Sequence, residues 1–261
     1  MNNSLKEIAY DCRLSVLDMV VKAKAGHIGG SMSCMDILVA LYFNQLITGD
    51  KFILSKGHCA EALYAVLAAK GIFPVNLLET YAVFDTALAE HPTKNVPGVD
   101  FATGALGHGL SVGVGMALGF KANCSTARVY VLMGDGELAE GSVWEAAMAG
   151  AKYRLNNLTA IIDRNRLQIS GPTEDVMPLE DLSAKFKAFG WEVRCVNGHE
   201  PEDIVRALTP CHKPLLIIAD TVKGYGSKIM EGKADWHHHI PTPAQYDEIK
   251  AELTQRRDNC G

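Results

Sequence analysis

The sequence predicts one α/β domain, a doubly wound, mostly parallel sheet with helices on both faces. Three observations carry this. Short apolar runs alternate with helix-length amphipathic stretches along the whole chain. Two of the runs, Val129 to Met133 and Leu158 to Ile162, end abruptly in the polar tips Gly134-Asp135-Gly136-Glu137 and Asp163-Arg164-Asn165. That is the mark of a buried parallel strand delivering residues to its C-terminal end. Between the tips, Glu140 to Tyr153 places Val143, Ala146, Ala147 and Gly150 on one helical face, which completes a βαβ unit. Ligands of open parallel sheets sit just beyond such strand ends.

The other elements follow in order. Leu5, Ile8, Ala9, Cys12, Val16, Met19 and Val20 recur at helical spacing with charges between them. They predict an amphipathic first helix ending near Ala25 and exclude a signal peptide. Gly26-His27-Ile28-Gly29-Gly30-Ser31 reads as a glycine-rich break, with Ser33 and Asp36 expected to cap a helix from Met35 to Asn44. Lys51 to Leu54 is a short strand running into Ser55-Lys56-Gly57-His58, and a helix through Ala69 follows. Thr80 to Asn95 is loop and carries His91-Pro92. Pro97 to Gly109 leads into a small-residue helix, Leu110 to Lys121. After the central βαβ come helix Leu179–Phe189, strand Trp191–Val196, helix Pro201–Leu208 and strand Leu215–Asp220. A loop from Val222 to Pro241 holds Gly224, Gly226 and three consecutive histidines, and a helix Pro243–Arg257 follows. No repeat, low-complexity tract or linker divides residues 1–261, so a single domain is expected.

With 48% hydrophobic and 21% charged residues, the chain is ordinary globular material, ample for one large core. A net charge of −5 without any Lys/Arg run argues against nucleic-acid binding. No apolar run is long enough to span a membrane. Seven scattered cysteines with no C-x-x-C pair point to reduced thiols in a cytoplasmic protein rather than to a metal cluster.

The chemistry concentrates at the strand tips. Asp135 and Asn165 offer a carboxylate and an amide oxygen, hard ligands too few to cage a cation alone. They suit Mg2+ or Ca2+ shared with a diphosphate. Gly134 and Gly136 permit a tight turn and close approach of backbone to phosphate oxygens. A bare Gly-Asp-Gly is also a common turn; the strand before it and the strand-Asp-Arg-Asn after it favour the metal reading. His27, His58 and His91, taken singly, are ordinary loop histidines. Together they fall where elements end on one edge, which favours a site. Gly107-x-Gly109-x-x-x-Gly113 follows no clear strand, so helix packing accounts for it better than a dinucleotide fingerprint does. His237, His238 and His239 are consecutive, so all three cannot chelate one ion, though one can face a phosphate. Glu140 and Glu145 are either a solvated helical face or a carboxylate relay at a subunit contact. Cys59, with no adjacent base in sequence, reads as packing.

With these residues in place, the chain resembles the diphosphate-binding half of transketolase over nearly its whole length. The resemblance rests on Gly26-His27, Ser55-Lys56-Gly57-His58, His91-Pro92, Pro97-Gly98-Val99, Thr103-Gly104-x-Leu106-Gly107, Gly134-Asp135-Gly136 with Asp163-x-Asn165, and Lys223-Gly224-x-Gly226-Ser227 with Trp236-His237, all in family order. It implies thiamin diphosphate as cofactor. Asp135, Asn165 and the Leu167 carbonyl would hold the metal. His58, Gly136 and His237 would contact the diphosphate, with Gly104, Leu106, Gly134 and Glu137 in the cofactor site. His27 and His91 would hydrogen-bond substrate hydroxyls, and with His237 and Glu140 make up the implied catalytic set. Glu140 and Glu145 would link paired active sites.

Two departures stand out. Glu90-His91-Pro92 replaces the family's Gly-His-Pro, and Ala105-Leu106-Gly107-His108 replaces Pro-Leu-Gly-Gln; both bear on substrate choice. The sequence also ends at Gly261, short of the family's second domain. The chain therefore resembles the N-terminal subunit of a split transketolase. A second subunit, expected in an α2β2 assembly, would carry the pyrimidine-binding and C-terminal domains. The implied reaction passes a two-carbon ketol unit from a ketose phosphate to an aldose phosphate, the cofactor supplying the carbanion chemistry. The alternatives are the α subunit of a 2-oxo-acid dehydrogenase decarboxylase component, a deoxyxylulose-phosphate synthase, and a catalytically silent scaffolding subunit.

Overall fold

Five strands form one parallel sheet: β1 (Lys51–Leu54), β2 (Val129–Gly134), β3 (Leu158–Arg164), β6 (Glu192–Asn197) and β7 (Leu215–Asp220), in the order β1-β2-β3-β7-β6. The computed structural model describes residues 4–260. β1, β2, β3 and β7 read as continuous apolar runs because both faces are covered, whereas the edge strand β6 is half-exposed; successive side chains go to opposite faces. Phe52, Leu54, Tyr130, Leu132, Ile161 and Ile217 enter one core. Ile53, Val131, Met133, Ala160, Ile162 and Leu216 enter the other. The first core is closed by α1 (Leu5–Ala23), α2 (Ile28–Ala40), α3 (Ala60–Ala69), α8 (Pro201–Ala207) and α9 (Pro243–Asp258). The second is closed by α4 (Gly109–Ala122), α5 (Gly141–Lys152) and α7 (Leu182–Phe189). The face foreseen for α5, Val143, Ala146, Ala147 and Gly150, is its buried face. Because all five strands are parallel, their C-terminal loops open on one edge. Among the described residues, no helix is long and apolar enough to cross a membrane.

Four expectations need correction. α2 begins at Ile28, not Met35, so Ser33 and Asp36 lie inside the helix and cap nothing. The misleading signal was Gly29-Gly30. Both are helical, and they are glycine because neighbours come close: a Cβ on Gly29 would lie 2.5 Å from the Trp236 carbonyl oxygen, and one on Gly30 would lie 2.8 Å from Cys59 Sγ. Only Gly26, at φ 130°, marks a true break. Second, α7 starts at Leu182 rather than Leu179, because the Asp181 carboxylate accepts the Ala184 N–H and caps it there. Third, β6 is displaced by one residue from the expected Trp191 start. Trp191 packs under α5 instead, its indole N–H donating to the Ala147 carbonyl at 2.7 Å. Fourth, a small hairpin of β4 (Leu167–Gln168) and β5 (Gly171–Pro172), followed by α6 (Thr173–Val176), lies where no element was expected.

One charge runs through the first core. Arg13, fully buried on α1, pairs with Asp36 on α2 and donates to the Met32 carbonyl at 3.0 Å. His199 Nε2 accepts the Val222 N–H at 2.8 Å, which leaves its Nδ1–H to donate to Asp36 at 2.9 Å. Burial alone would raise the Asp36 carboxyl; the Arg13 and His199 contacts override it and hold it at about 2. Removing one partner of a buried pair strands the other. Arg13→Ala is therefore expected to cost roughly 3–5 kcal/mol, seen in thermal unfolding as a fall in Tm of about 10 °C. An unchanged Tm would show that the pair does not tie α1 to α2.

Candidate active site

Four strand ends build the site. β1 delivers Ser55-Lys56-Gly57-His58, β2 delivers Gly134-Asp135-Gly136-Glu137, β3 delivers Asp163 and Asn165, and β7 delivers Thr221 and Lys223. With His27 and the segment around His237 they enclose a cavity of about 360 Å3. Of the residues singled out in the sequence, His27, His58, Gly104, Leu106, Gly134, Asp135, Gly136, Glu137, Asn165, Leu167 and His237 all line it. His91 stands beside it, its ring 6.1 Å from that of His27. Glu140 and Glu145 do not line it; both are exposed on α5 and the residue before it.

Asp135 is buried. One oxygen accepts the Gly136 N–H at 2.8 Å; the other accepts the Arg166 N–H at 2.6 Å and Arg164 Nη1 at 3.0 Å. A carboxylate has about four lone-pair sites, so one is left for a further partner. Burial and the neighbouring Asp163 raise its pKa. The Asn165 amide is oriented by its nitrogen, which donates to Asp163 at 3.2 Å and to Ser33 Oγ at 3.3 Å. Its oxygen accepts the Leu167 N–H at 3.1 Å. The Leu167 carbonyl accepts only a long contact, 3.4 Å from Lys223 Nζ. Gly134 and Gly136 were expected to serve a tight turn, but neither has positive φ. A Cβ on Gly136 would lie 3.1 Å from Gln168 Cβ, so the loop approaches closely there.

Two carboxylates lock the loops. Asp163 is fully buried and accepts from Lys56, from Thr221 Oγ1 and from Ser33 Oγ at 2.6 Å. Burial alone would lower the Lys56 ammonium; the Asp163 charge holds it well above the ordinary lysine range. Glu137 accepts from Ser55 Oγ, from the Gly107 N–H at 2.8 Å and from the Gly134 N–H at 3.2 Å. It lines the cavity, and these loop contacts take three of its roughly four lone-pair sites. The Lys56–Asp163 pair was not foreseen, because nothing in the sequence shows that residues so far apart meet. Lys223 was noted only as part of a motif. Its ammonium lies 3.0 Å from His237 Nδ1 with no carboxylate in ion-pairing distance among the described residues, and burial together with Lys56 lowers it to about 8.

The histidines gather around His27. Its ring lies 5.4 Å from those of His58 and His237 and 4.7 Å from that of His238. Burial and neighbouring imidazoles lower His27 to about 4; burial and Lys223 lower His237 to about 3; burial also lowers His91. These imidazoles are neutral at physiological pH, each able to donate and to accept a hydrogen bond. Of the three consecutive histidines, His237 lines the cavity, His238 reaches His27 from outside, and His239 turns away to Trp236 and Gln245. Cys59 is buried against the active-site loop. Burial alone would raise its thiol; Cys34, His58 and Lys56 override that and favour the thiolate. The arrangement offers a hard-oxygen corner (Asp135, Asn165, Leu167) beside a lysine without a carboxylate partner and several neutral imidazoles. That donor set fits a divalent cation shared with a diphosphate.

Comparison with known proteins agrees with this geometry. Residues 4–257 match the family described as "Transketolase, thiamine diphosphate binding domain". The chain is 51% identical over 257 residues to an apulose-4-phosphate transketolase subunit of Phocaeicola vulgatus, covering 94% of this chain and 92% of that one. It is 40% identical over 263 residues to a 6-deoxy-6-sulfo-D-fructose transketolase subunit of a Clostridium species, covering 95% and 96%. Among solved structures, transketolase from Leishmania mexicana superposes with a TM-score of 0.86 at 25% identity, covering 100% of this chain and 45% of that one. Transketolase from Campylobacter jejuni gives 0.83 at 28%, covering 99% and 48%. The chain thus spans a little under half the length of these solved transketolases.

The depressed histidines fix the sign of a pH effect. The unfolded imidazoles titrate near 6.5, so on acidification the unfolded chain takes up protons that the folded chain does not. Stability should fall as pH drops from about 6.5 towards 4. Denaturant midpoints measured from about pH 8 to about pH 5 should fall less steeply in the His27→Asn/His237→Asn variant than in the wild type. Parallel curves would contradict the burial of neutral imidazoles.

Proposed function

The chain belongs to the transketolase family through its thiamine-diphosphate-binding domain, and from that premise we propose that it is the cofactor-anchoring subunit of a split transketolase. The observation that carries this most is the convergence of Asp135, Asn165 and the Leu167 carbonyl at one corner of a cavity whose other walls carry His27, His58, His237 and Lys223. The first three would hold Mg2+ or Ca2+, and His58, Gly136, His237 and Lys223 would receive the diphosphate. Bound there, thiamin diphosphate supplies the electron sink for cleaving the bond beside a ketose carbonyl.

The chain's own residues bind, orient and move protons. Asp163 and Ser33 fix the Asn165 amide so that its oxygen, which accepts the Leu167 N–H, keeps a second lone pair for a cation. Glu137 holds Gly134 and Gly107 in place on either side of the cofactor cavity. His27 and His91, neutral through burial, take and return the proton of a substrate hydroxyl as a two-carbon ketol unit leaves a ketose phosphate for an aldose phosphate. A partner polypeptide supplies the pyrimidine-binding and C-terminal domains in a cytoplasmic α2β2 assembly. The exposed Glu140 and Glu145 are carboxylates that such a partner would bury. The similarity to an apulose-4-phosphate transketolase makes apulose 4-phosphate the first donor to test, ahead of xylulose 5-phosphate.

A ketol-transfer assay on this chain, alone and with its partner polypeptide, tests the reading. Turnover should require the mixture, thiamin diphosphate and Mg2+; turnover by the chain alone, or without the cofactor, would contradict it. Asp135→Ala should weaken Mg2+-dependent thiamin-diphosphate binding by about 100-fold or more, with circular dichroism unchanged. Wild-type cofactor affinity in that variant would remove Asp135 from the metal site.

A further inference from the structure

A second set of ligating side chains shares His27 with the cavity but adds Glu90 and His238, which do not line it. One ligand atom each from His27, Glu90 and His238 falls within 4.8 Å of the other two. His238 Nε2 is 3.9 Å from Glu90 Oε2, and the His27 and His238 rings stand 4.7 Å apart at 73°. His27 Nδ1 is buried without a hydrogen-bond partner, and a buried polar atom left unpaired is costly. The three come from separate segments: His27 between α1 and α2, Glu90 from the loop between α3 and α4, and His238 from the segment after β7. Glu90 stands where the family's Gly-His-Pro has glycine, so the carboxylate is an addition to the pattern.

We propose that His27, Glu90 and His238 form a binding site for a divalent transition metal of the Zn2+ class, separate from the cation site at Asp135. Two imidazoles and one carboxylate suit borderline ions and not Mg2+, which requires near-octahedral oxygen ligation. Metal–ligand bonds of about 2.0–2.2 Å bring tetrahedral ligand atoms to roughly 3.4 Å from one another. Glu90 and His238 are partly exposed, with side chains 38% and 54% accessible, so they are free to close the remaining gap. His27, held near 4 by burial, has no proton to lose before it ligates. Three protein ligands leave a position open, as in zinc sites that take water or a substrate oxygen. An ion there occupies the His27 imidazole. On the transketolase reading, it therefore competes with the donor sugar for that histidine.

Calorimetric titration of the full chain with Zn2+, in excess Mg2+, tests the site without turnover. The exposed Cys124 and Cys195 are first replaced by serine to remove competing thiols. One Zn2+ site is expected. Glu90→Gln and His238→Asn should each weaken it by about tenfold or more, while Asp135→Ala leaves it intact. Equal affinity in Glu90→Gln, His238→Asn and the parent, or loss of the site in Asp135→Ala, would overturn the proposal. Because no substrate enters the measurement, its failure leaves the transketolase reading standing. Failure of ketol transfer likewise leaves the metal site standing.

Discussion

The buried carboxylate of Asp163 is the contact on which the active-site edge depends. It sits at the end of β3 and gathers Ser33 from α2, Lys56 from the loop after β1, Thr221 from the loop after β7, and Asn165 from its own strand exit. A charge in the core is tolerated only when its lone pairs are filled and an opposite charge is close. Here the Lys56 ammonium also donates to the Gly30 carbonyl at 3.1 Å. The pair thus specifies a geometry more than it adds stability: helix α2 and the exits of β1, β3 and β7 have to arrive together for either charge to be satisfied. Glu137 repeats the device one strand away, joining Ser55, Gly107 and Gly134.

The electrostatics of the cavity follow from burial acting on groups of both signs. It lowers His27, His91, His237 and Lys223, and it raises Asp135 and Glu137. The walls are thereby drawn towards neutrality. Such a cavity suits an anion that arrives with its own cation better than either ion alone. Neutral imidazoles next to that anion remain able to accept as well as donate, which imidazolium rings could not do.

Much of this was legible in the sequence, and what was not has physical reasons. β1, β2, β3 and β7 were readable because each is a short apolar run buried on both faces, and Leu215–Asp220 was bounded correctly; β6, a half-exposed edge strand of mixed residues, was placed one residue early. Val143, Ala146, Ala147 and Gly150 were readable as a face because helical spacing is local. The strand-tip motifs placed Asp135 and Asn165 correctly on one edge, since parallel topology brings C-terminal ends together. Gly29 and Gly30 misled because closeness to Trp236 and Cys59 is a tertiary fact that looks, in sequence, like a helix break. The hairpin at Leu167–Pro172 has two-residue strands, too short for any periodicity. The roles of Lys56, Asp163 and Lys223 depend on partners far along the chain, and the pairing of Glu90 with His238 does too.

The anchoring of thiamin diphosphate through a divalent cation on Asp135, Asn165 and the Leu167 carbonyl is the proposal on which the function turns. Its most direct test is anomalous diffraction from crystals of the chain with its partner polypeptide, grown with thiamin diphosphate and Mn2+ in place of Mg2+. A Mn2+ peak should appear within bonding distance of one Asp135 oxygen, Asn165 Oδ1 and the Leu167 carbonyl, with the diphosphate beside it. A cofactor bound in the cavity with its metal held elsewhere, and Asp135 still fully engaged by Arg164 and Arg166, would contradict it.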